Sequence, residues 1–229
     1  LPQCRSGLRQ LLSLPCAYCP PRRCAGCDQC IHVCPHHASC KVSELTPEAL
    51  FEKIAETFPF IQGITVSGGE CMLYADFLTA LFRRVKAAGK TCLIDSNGVI
   101  DFGQYPQLLA LCDGVMLDMK AIDDDFHRQL TGASNRQVLD NLTLLLEAGK
   151  LEEVRTVLLP QFPKQNQKTV RAVNERLQGK IRYKLLRYRP FGVCEEGLRF
   201  CGRTITPLEE AERLAQAESD RGFHNCVVI

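Results

Sequence analysis

A short apolar run that ends in a glycine-rich turn decides the fold: Ile61-Gln62-Gly63-Ile64-Thr65-Val66-Ser67-Gly68-Gly69-Glu70. A few apolar residues bounded by turn signals predict a buried strand, here at residues 61–66. A helix is expected on each side of it. Thr46-Pro47 can open the first helix, and Gly89 closes the second, at residues 76–88. The segment therefore predicts an α/β unit in which a strand lies between two helices.

The rest of the chain repeats this alternation. Apolar runs predict further strands, and periodic apolar residues with cap signals predict the helices between them. Strands separated by helices imply βαβ units and a parallel sheet, in which ligands bind at the carboxyl ends of the strands. The further strands are expected at residues 91–95, 114–120, 154–159 and 181–186, and the further helices at 103–111, 135–148 and 207–221, before an apolar tail at 226–229.

The composition is that of a globular protein. Of the 229 residues, 45% are apolar and 24% are charged, so disorder is excluded as the main state. The net charge of +2 gives no basic footprint for nucleic acid or an anionic membrane surface. No apolar run approaches the roughly 18 residues of a membrane span. The chain begins at Leu1 without a methionine or a signal peptide, so we expect a cytoplasmic protein whose N-terminal part is missing.

Cysteine is concentrated near the N-terminus, where eight of the fourteen lie within the first forty residues. Cys24, Cys27, Cys30 and Cys34-Pro35 form the pattern C-x2-C-x2-C-x3-C-P, the bacterial ferredoxin run for a 4Fe–4S cluster. In two-cluster ferredoxins the last cysteine of a run ligates the other cluster. Cys4 stands where such a last cysteine would stand in a preceding run, so we expect it to complete this cluster. Cys34 would then serve a second cluster, whose other ligands are expected upstream of Leu1.

Other interpretations of the cysteines stay open. A structural zinc site can be built from the pairs Cys16-x2-Cys19 and Cys24-x2-Cys27, although zinc requires neither the third C-x2-C step nor the trailing proline. The chain would then be a zinc-stabilised interaction module. The ferredoxin-like segment alone would instead suit an electron-transfer protein. Four later cysteines adjoin apolar runs and are expected to be small buried side chains: Cys71, Cys92, Cys112 and Cys226.

Polar side chains follow the predicted strands. The segments Gly68-Gly69-Glu70 and Asp95-Ser96-Asn97-Gly98 each suit a turn when taken alone. Asp118 and Lys120 would share one face of a strand, where charge is costly unless a partner, a metal or a ligand satisfies it. Arg155 lies in a predicted strand as well. A salt-bridged interior explains each residue singly, whereas their recurrence at successive strand ends favours a polar, charged ligand.

Three motifs together resemble a known family. They are Ile64-Thr65-Val66-Ser67-Gly68-Gly69-Glu70, Asp95-Ser96-Asn97-Gly98 and Met116-Leu117-Asp118-Met119-Lys120, and in sequence and order they look like the glycyl radical enzyme activating enzymes of the radical SAM superfamily. The cysteine-rich start is similar to activases with extra clusters, especially the YjjW-type branch. The resemblance implies a partial (β/α)6 barrel at residues 43–229 that lacks its first strand. It also implies a ferredoxin-like 4Fe–4S insert at residues 1–42.

The resemblance implies roles for individual residues. Gly68, Gly69 and Glu70 would contact the methionyl amino group of S-adenosylmethionine (SAM), and Arg155 matches a SAM-binding arginine. The implied reaction is reductive cleavage of SAM to a 5′-deoxyadenosyl radical, which takes a hydrogen atom from a glycine of a partner enzyme. A reductant such as flavodoxin or ferredoxin would supply electrons through the 4Fe–4S clusters. A monovalent cation beside the SAM carboxylate would lie among Asp95, Ser96, Met116 and Asp118, with Lys120 at the same site.

One motif of this family is missing. The signature C-x3-C-x2-C, which holds the catalytic cluster in the family, occurs nowhere in the 229 residues. In the family it precedes the insert, so we expect it upstream of Leu1 together with the first strand. The chain as it stands is expected to bind the partner and part of SAM without cleaving SAM, and no catalytic residue is assigned within it. The sequence does not identify the glycyl radical enzyme that is activated.

Overall fold

The computed structural model of the chain describes residues 45–191, 193 and 195–229. These residues belong to two compact units. The larger unit comprises Leu45–Arg189 and Thr204–Ile229, and the smaller one includes Pro190–Arg203. The expected insert at residues 1–42 and its boundary with the barrel lie outside the described residues. The same holds for the five predicted iron ligands, Cys4, Cys24, Cys27, Cys30 and Cys34.

The larger unit alternates strands and helices along the chain. Its strands are β1 (Gly63–Val66), β2 (Thr91–Ser96), β3 (Gly114–Asp118), β4 (Leu151–Leu158), β5 (Arg182–Arg187) and β6 (Cys226–Val228). Its helices are α1 (Pro47–Ala55), α2 (Ala75–Ala87), α3 (Pro106–Leu111), α4 (Asp124–Thr131), α5 (Arg136–Glu147), α6 (Pro163–Leu177) and α8 (Leu208–Ser219), while α7 (Glu195–Cys201) belongs to the smaller unit. None of the described helices is both long and apolar enough to span a bilayer.

The six described strands form one parallel sheet in the order β1-β2-β3-β4-β5-β6. Because consecutive strands are parallel neighbours, each connection must return the chain to the amino end, and helices make these crossovers. All six carboxyl ends therefore lie at one edge of the sheet. The expected parallel α/β fold is confirmed, and the apolar tail after residue 225 forms the last strand.

The core lies on one face of this sheet. Alternate strand residues such as Ile94, Leu117, Val154 and Leu185 are fully buried with the apolar stripes of α2, α5 and α6. Side chains of a strand alternate between the two faces, so the intervening residues share the other face. That second face carries most of the charged side chains of the sheet, and we call it the polar face. Its charged members are Asp95, Asp118, Glu153, Arg155, Arg182 and Lys184.

Most predicted elements are present, with local differences. Thr46 caps α1 as expected, its Oγ1 accepting a hydrogen bond from Ala49 N at 3.2 Å. The third strand ends at Asp118, two residues before the predicted end. Asn135 precedes α5, but its side chain does not cap that helix and instead donates to the carbonyls of Ala121 and Ile122. Three helices, α4, α6 and α7, were not predicted.

The described part of the smaller unit is built around α7. The N–H of Gly202 donates to the carbonyl of Leu198 at 3.0 Å, closing the helix, and the Arg203 guanidinium lies 2.6 Å from the Glu195 carboxylate. Both partners of this ion pair are largely exposed, so we expect it to contribute little stability.

Asn141 provides a test of how the loop after β2 is held. It is buried on α5, and its Nδ2 donates to the carbonyls of Gly98 and Ile100 at 2.8 Å, while its Oδ1 accepts from Phe102 N at 3.1 Å. Asn141→Leu leaves these three backbone groups unpaired, so the free energy of unfolding should fall by about 2–4 kcal/mol in urea titrations. Asp140→Leu, at the exposed neighbouring position, should change it by about 0.5 kcal/mol or less. Equal losses in the two variants would contradict this interpretation.

Candidate cofactor site

The turn after β1 has the backbone of a ligand cradle. Gly68 adopts φ +142°, a conformation that favours glycine. A Cβ atom built on Gly68 or Gly69 would meet no described atom within 4 Å, so the backbone faces open space. A small, exposed backbone of this kind permits close approach of a bound molecule.

Glu70 ties this turn to the end of β2. Its Oε1 accepts hydrogen bonds from Met72 N at 3.0 Å and Ser96 Oγ at 2.9 Å, and its Oε2 accepts from Asn97 N at 2.8 Å. A carboxylate has about four lone-pair sites, so Oε2 can accept one more donor. Glu70 therefore fixes the relative position of two strand-end loops and keeps acceptor capacity for a ligand.

The loop after β2 is tightly packed against the core. Ser96 is buried, and its Oγ accepts from Gly98 N at 3.0 Å. Gly98 has φ +74°, and a Cβ there would lie 2.8 Å from the Leu117 side chain, so a larger residue is excluded on both grounds. Ser96 thus serves as a structural link between Glu70 and this turn.

Arg155 is the centre of the site. Its Nη1 donates to Asp95 Oδ2 at 2.9 Å, its Nη2 to Met116 Sδ at 2.7 Å, and its Nε to Glu153 Oε1 at 2.6 Å. Burial disfavours the charged guanidinium, but the bonds to Glu153 and Asp95 outweigh it and raise the Arg155 pKa further. The guanidinium is therefore a permanent cation with a fixed orientation.

Glu153 is buried beneath Arg155. Only 2% of its side chain is exposed, and its Oε2 lies 2.8 Å from Lys184 Nζ on the neighbouring strand. Burial raises the pKa of this carboxyl, yet hydrogen bonds from Lys184 and Arg155 outweigh that effect and hold it below its usual value. Glu153 is therefore ionised and paired with two cations.

Asp118 and Lys120 form a separate pair. Lys120 Nζ lies 2.7 Å from Asp118 Oδ2, although Lys120 itself follows the end of β3. The strand register places Asp118 beside Arg155. Asp118 and Lys120 thus neutralise each other, as the salt-bridged interpretation expected. They also lie at the edge of the sheet where ligands bind.

The structure brings together most of the predicted site residues. Arg155 contacts both Asp95 and Met116, and the Glu70 carboxylate links the turn that begins at Gly68 and Gly69 to Ser96. Three contributors were missed by sequence reasoning. Ser67 donates to Asp95 Oδ2 at 3.1 Å, Glu153 accepts from Arg155, and Lys184 on the neighbouring strand pairs with Glu153. For Glu153 the sequence held a signal that could have revealed it. Glu153 precedes Arg155 by two residues in the same strand, so the two side chains lie on the same face of the sheet.

The charges of this edge suit a zwitterionic ligand. Asp95 and Asp118 present carboxylates, while Arg155 and Lys120 present donors for an anionic group. Arg155 has five N–H donors, and its three contacts use one on each nitrogen, which leaves one N–H on each terminal nitrogen. The methionyl group of SAM, with one ammonium and one carboxylate, fits this donor and acceptor set.

The later cysteines are structural. Cys71, Cys92 and Cys112 are buried free thiols as predicted, whereas Cys226 is only half-buried. Burial raises the pKa of Cys71 and Cys92 to about 12 and that of Cys112 to about 11, so all three stay protonated at neutral pH. Within the described part of the chain, no group of three or more His, Cys, Asp or Glu side chains is arranged to hold a metal ion.

Comparisons with known proteins identify the family. The model of the radical SAM superfamily matches residues 13–177. The pyruvate formate-lyase-activating enzyme of Clostridium pasteurianum is 30% identical over 156 residues, covering 66% of this chain and 65% of that protein. The pyruvate formate-lyase 2-activating enzyme of Escherichia coli is 28% identical over 196 residues, covering 82% and 66%. The chain thus spans just under two thirds of the length of each of these relatives.

A solved structure agrees with the fold. The crystal structure of a domain of pyruvate-formate lyase-activating enzyme from Bacteroides vulgatus superimposes with a TM-score of 0.59 at 19% identity, over 74% of this chain and 99% of that domain. Since the family model covers most of the chain, the chain belongs to the radical SAM superfamily, whose cofactors are a 4Fe–4S cluster and S-adenosylmethionine.

Proposed function

We propose that the chain is the SAM-binding part of an activase that generates a glycyl radical on a partner enzyme. The observation that carries this proposal is the network of Asp95, Met116 and Arg155 at the carboxyl edge of the sheet, where superfamily membership calls for a SAM site. The curated relatives, whose names describe activation of pyruvate formate-lyase, support the protein substrate. When bound, the cluster and SAM supply reductive cleavage to a 5′-deoxyadenosyl radical.

The residues of this chain bind and orient SAM in the proposal. The turn at Gly68 and Gly69 lets the methionyl group approach the backbone, and Glu70 accepts its ammonium. Arg155 donates to its carboxylate with the two N–H groups that its protein contacts leave over. Asp95 and Asp118 offer carboxylate oxygens to a monovalent cation beside that carboxylate, together with Ser96 and Met116, while Lys120 balances the charge of Asp118.

Electron supply is assigned to the N-terminal segment. In the proposal, residues 1–42 form a ferredoxin-like insert before the barrel of residues 43–229. Cys4, Cys24, Cys27 and Cys30 hold one 4Fe–4S cluster, and Cys34 contributes to a second. A small redox protein such as flavodoxin or ferredoxin reduces these clusters. The insert's clusters then feed electrons to the cluster that binds SAM.

The test compares two polypeptides. The first is the 229-residue chain, and the second, here called the longer polypeptide, extends it upstream through a C-x3-C-x2-C signature. After anaerobic iron–sulfur reconstitution and reduction, we expect the longer polypeptide to release 5′-deoxyadenosine from SAM and the 229-residue chain to release none. Quantification by liquid chromatography measures the product. A longer polypeptide that is fully loaded with iron and yet forms no 5′-deoxyadenosine would rule out the proposed function.

A further inference from the structure

The polar face of the sheet continues below the proposed SAM site. Going from the carboxyl edge towards the amino ends of β4 and β5, Arg155 is followed by Glu153, and Lys184 lies in register beside Arg155. These three side chains form a continuous chain of contacts, with Glu153 Oε1 on Arg155 Nε and Glu153 Oε2 on Lys184 Nζ. Neither Glu153 nor Lys184 is among the residues proposed to touch SAM, but Glu153 is bonded directly to Arg155, which is.

The Glu153 carboxylate is buried, so both of its oxygens need a partner. A carboxylate that is 98% buried is destabilising unless each oxygen is paired, and here each oxygen has its own cation. Arg182 lies 3.8 Å away with half of its side chain exposed, so it adds little. Counting Asp95, Glu153, Arg155 and Lys184, two negative charges balance two positive ones. The network is therefore neutral before a ligand arrives.

The contact with Glu153 constrains the orientation of the Arg155 guanidinium. A guanidinium is planar, so fixing Nε on one carboxylate and Nη1 on another fixes the plane in which the remaining N–H groups point. Without Glu153 the guanidinium would keep only Asp95 Oδ2 and the weak acceptor Met116 Sδ, both on its terminal nitrogens, and its Nε would have no fixed acceptor. The buried Glu153 carboxylate supplies that acceptor in advance of ligand binding, and preorganisation of this kind strengthens binding.

We propose that Glu153 is a positioning residue, whose carboxylate orients the Arg155 guanidinium for SAM while Lys184 neutralises that carboxylate from the neighbouring strand. The inference rests on the proposed function, because it takes SAM as the ligand of Arg155. It adds a role for two residues to which no contact with SAM has been assigned.

A series of three variants in the longer polypeptide tests this role. In Glu153→Gln the Lys184 ammonium takes the single amide oxygen, which turns the amide NH2 towards Arg155 Nε and displaces the guanidinium. Glu153→Gln with Lys184→Met frees the oxygen to accept from Arg155 again. Glu153→Met with Lys184→Met is equally uncharged but offers no acceptor. The two double variants carry the same charge, and only the one with glutamine offers Arg155 an oxygen acceptor.

The readouts are the dissociation constant for SAM in equilibrium dialysis and the melting temperature. We expect SAM binding to weaken roughly 10- to 100-fold in Glu153→Gln and in the double methionine variant, and to return to within about threefold of the parent in Glu153→Gln/Lys184→Met. Glu152→Gln, at an exposed position of the same strand, should leave SAM binding unchanged. If the double methionine variant does not fold, the comparison of Glu153→Gln with Glu153→Gln/Lys184→Met still tests the role. The second variant should recover the SAM affinity that the first one loses.

The outcomes separate this inference from the proposed function. If the parent binds SAM and the two double variants bind it equally well, Glu153 serves only to balance Lys184 and the positioning role is wrong. The same conclusion follows if adding Lys184→Met restores the melting temperature of Glu153→Gln without restoring SAM affinity. A reconstituted parent that binds no SAM refutes the proposed function, and the inference fails with it.

Discussion

Replacing Glu70 with glutamine is expected to weaken SAM binding tenfold or more and to lower the free energy of unfolding by about 1–3 kcal/mol. Three donors converge on this carboxylate, namely Met72 N, Ser96 Oγ and Asn97 N. A glutamine has one acceptor oxygen, so in either orientation its NH2 faces an N–H that needs an acceptor. The two strand-end loops then lose their common anchor, and the ammonium of SAM loses a charged partner.

The measurements are a SAM dissociation constant for the reconstituted longer polypeptide and urea unfolding of the same protein. Glu52→Gln is the matched control, because Glu52 is exposed on α1 and changes charge in the same way. We expect it to alter neither quantity appreciably. Full SAM affinity in Glu70→Gln, together with a normal unfolding curve, would mean that the carboxylate charge has no part in the site.

The sheet was predictable because its strands are short apolar runs bounded by turn residues. The runs at residues 61–66 and 91–95 correspond to β1 and β2 within two residues at each end. Helix α6 was missed for a definite physical reason. Its inward stripe contains Asn166, Thr169 and Asn174 among the apolar residues, so the helical periodicity of hydrophobic residues is weak. Each of these buried polar side chains makes a tertiary hydrogen bond, which a sequence pattern does not reveal.

The site was predictable only in part. The strand-end motifs indicated a charged ligand, and the family resemblance selected Asp95, Met116 and Arg155, which the fold brings into contact. The partnership of Glu153 with Lys184 depends on the register between β4 and β5, two segments separated by α6. Register follows from packing of the whole sheet, so residue spacing within one strand could not supply it.

Cys24→Ala is expected to remove one 4Fe–4S cluster, about four iron atoms per chain, from the anaerobically reconstituted 229-residue chain. Cys24 begins the run C-x2-C-x2-C-x3-C-P, and three thiolates of such a run bind one cluster. The buried cysteines of the larger unit are poor substitutes, because burial raises the pKa of Cys71 and Cys112 well above neutral and keeps them protonated. Iron analysis and EPR of the reduced protein measure the loss.

Cys16→Ala is the matched control, since Cys16 lies in the same cysteine-rich segment but outside the ferredoxin run. It should leave the iron content and the EPR signal of the reduced cluster intact. Equal iron loss in Cys16→Ala and Cys24→Ala would contradict the ligand assignment. Stoichiometric zinc with no reducible cluster would instead support a structural site built from Cys16, Cys19, Cys24 and Cys27. In that case the segment could not carry electrons, because zinc has no redox chemistry.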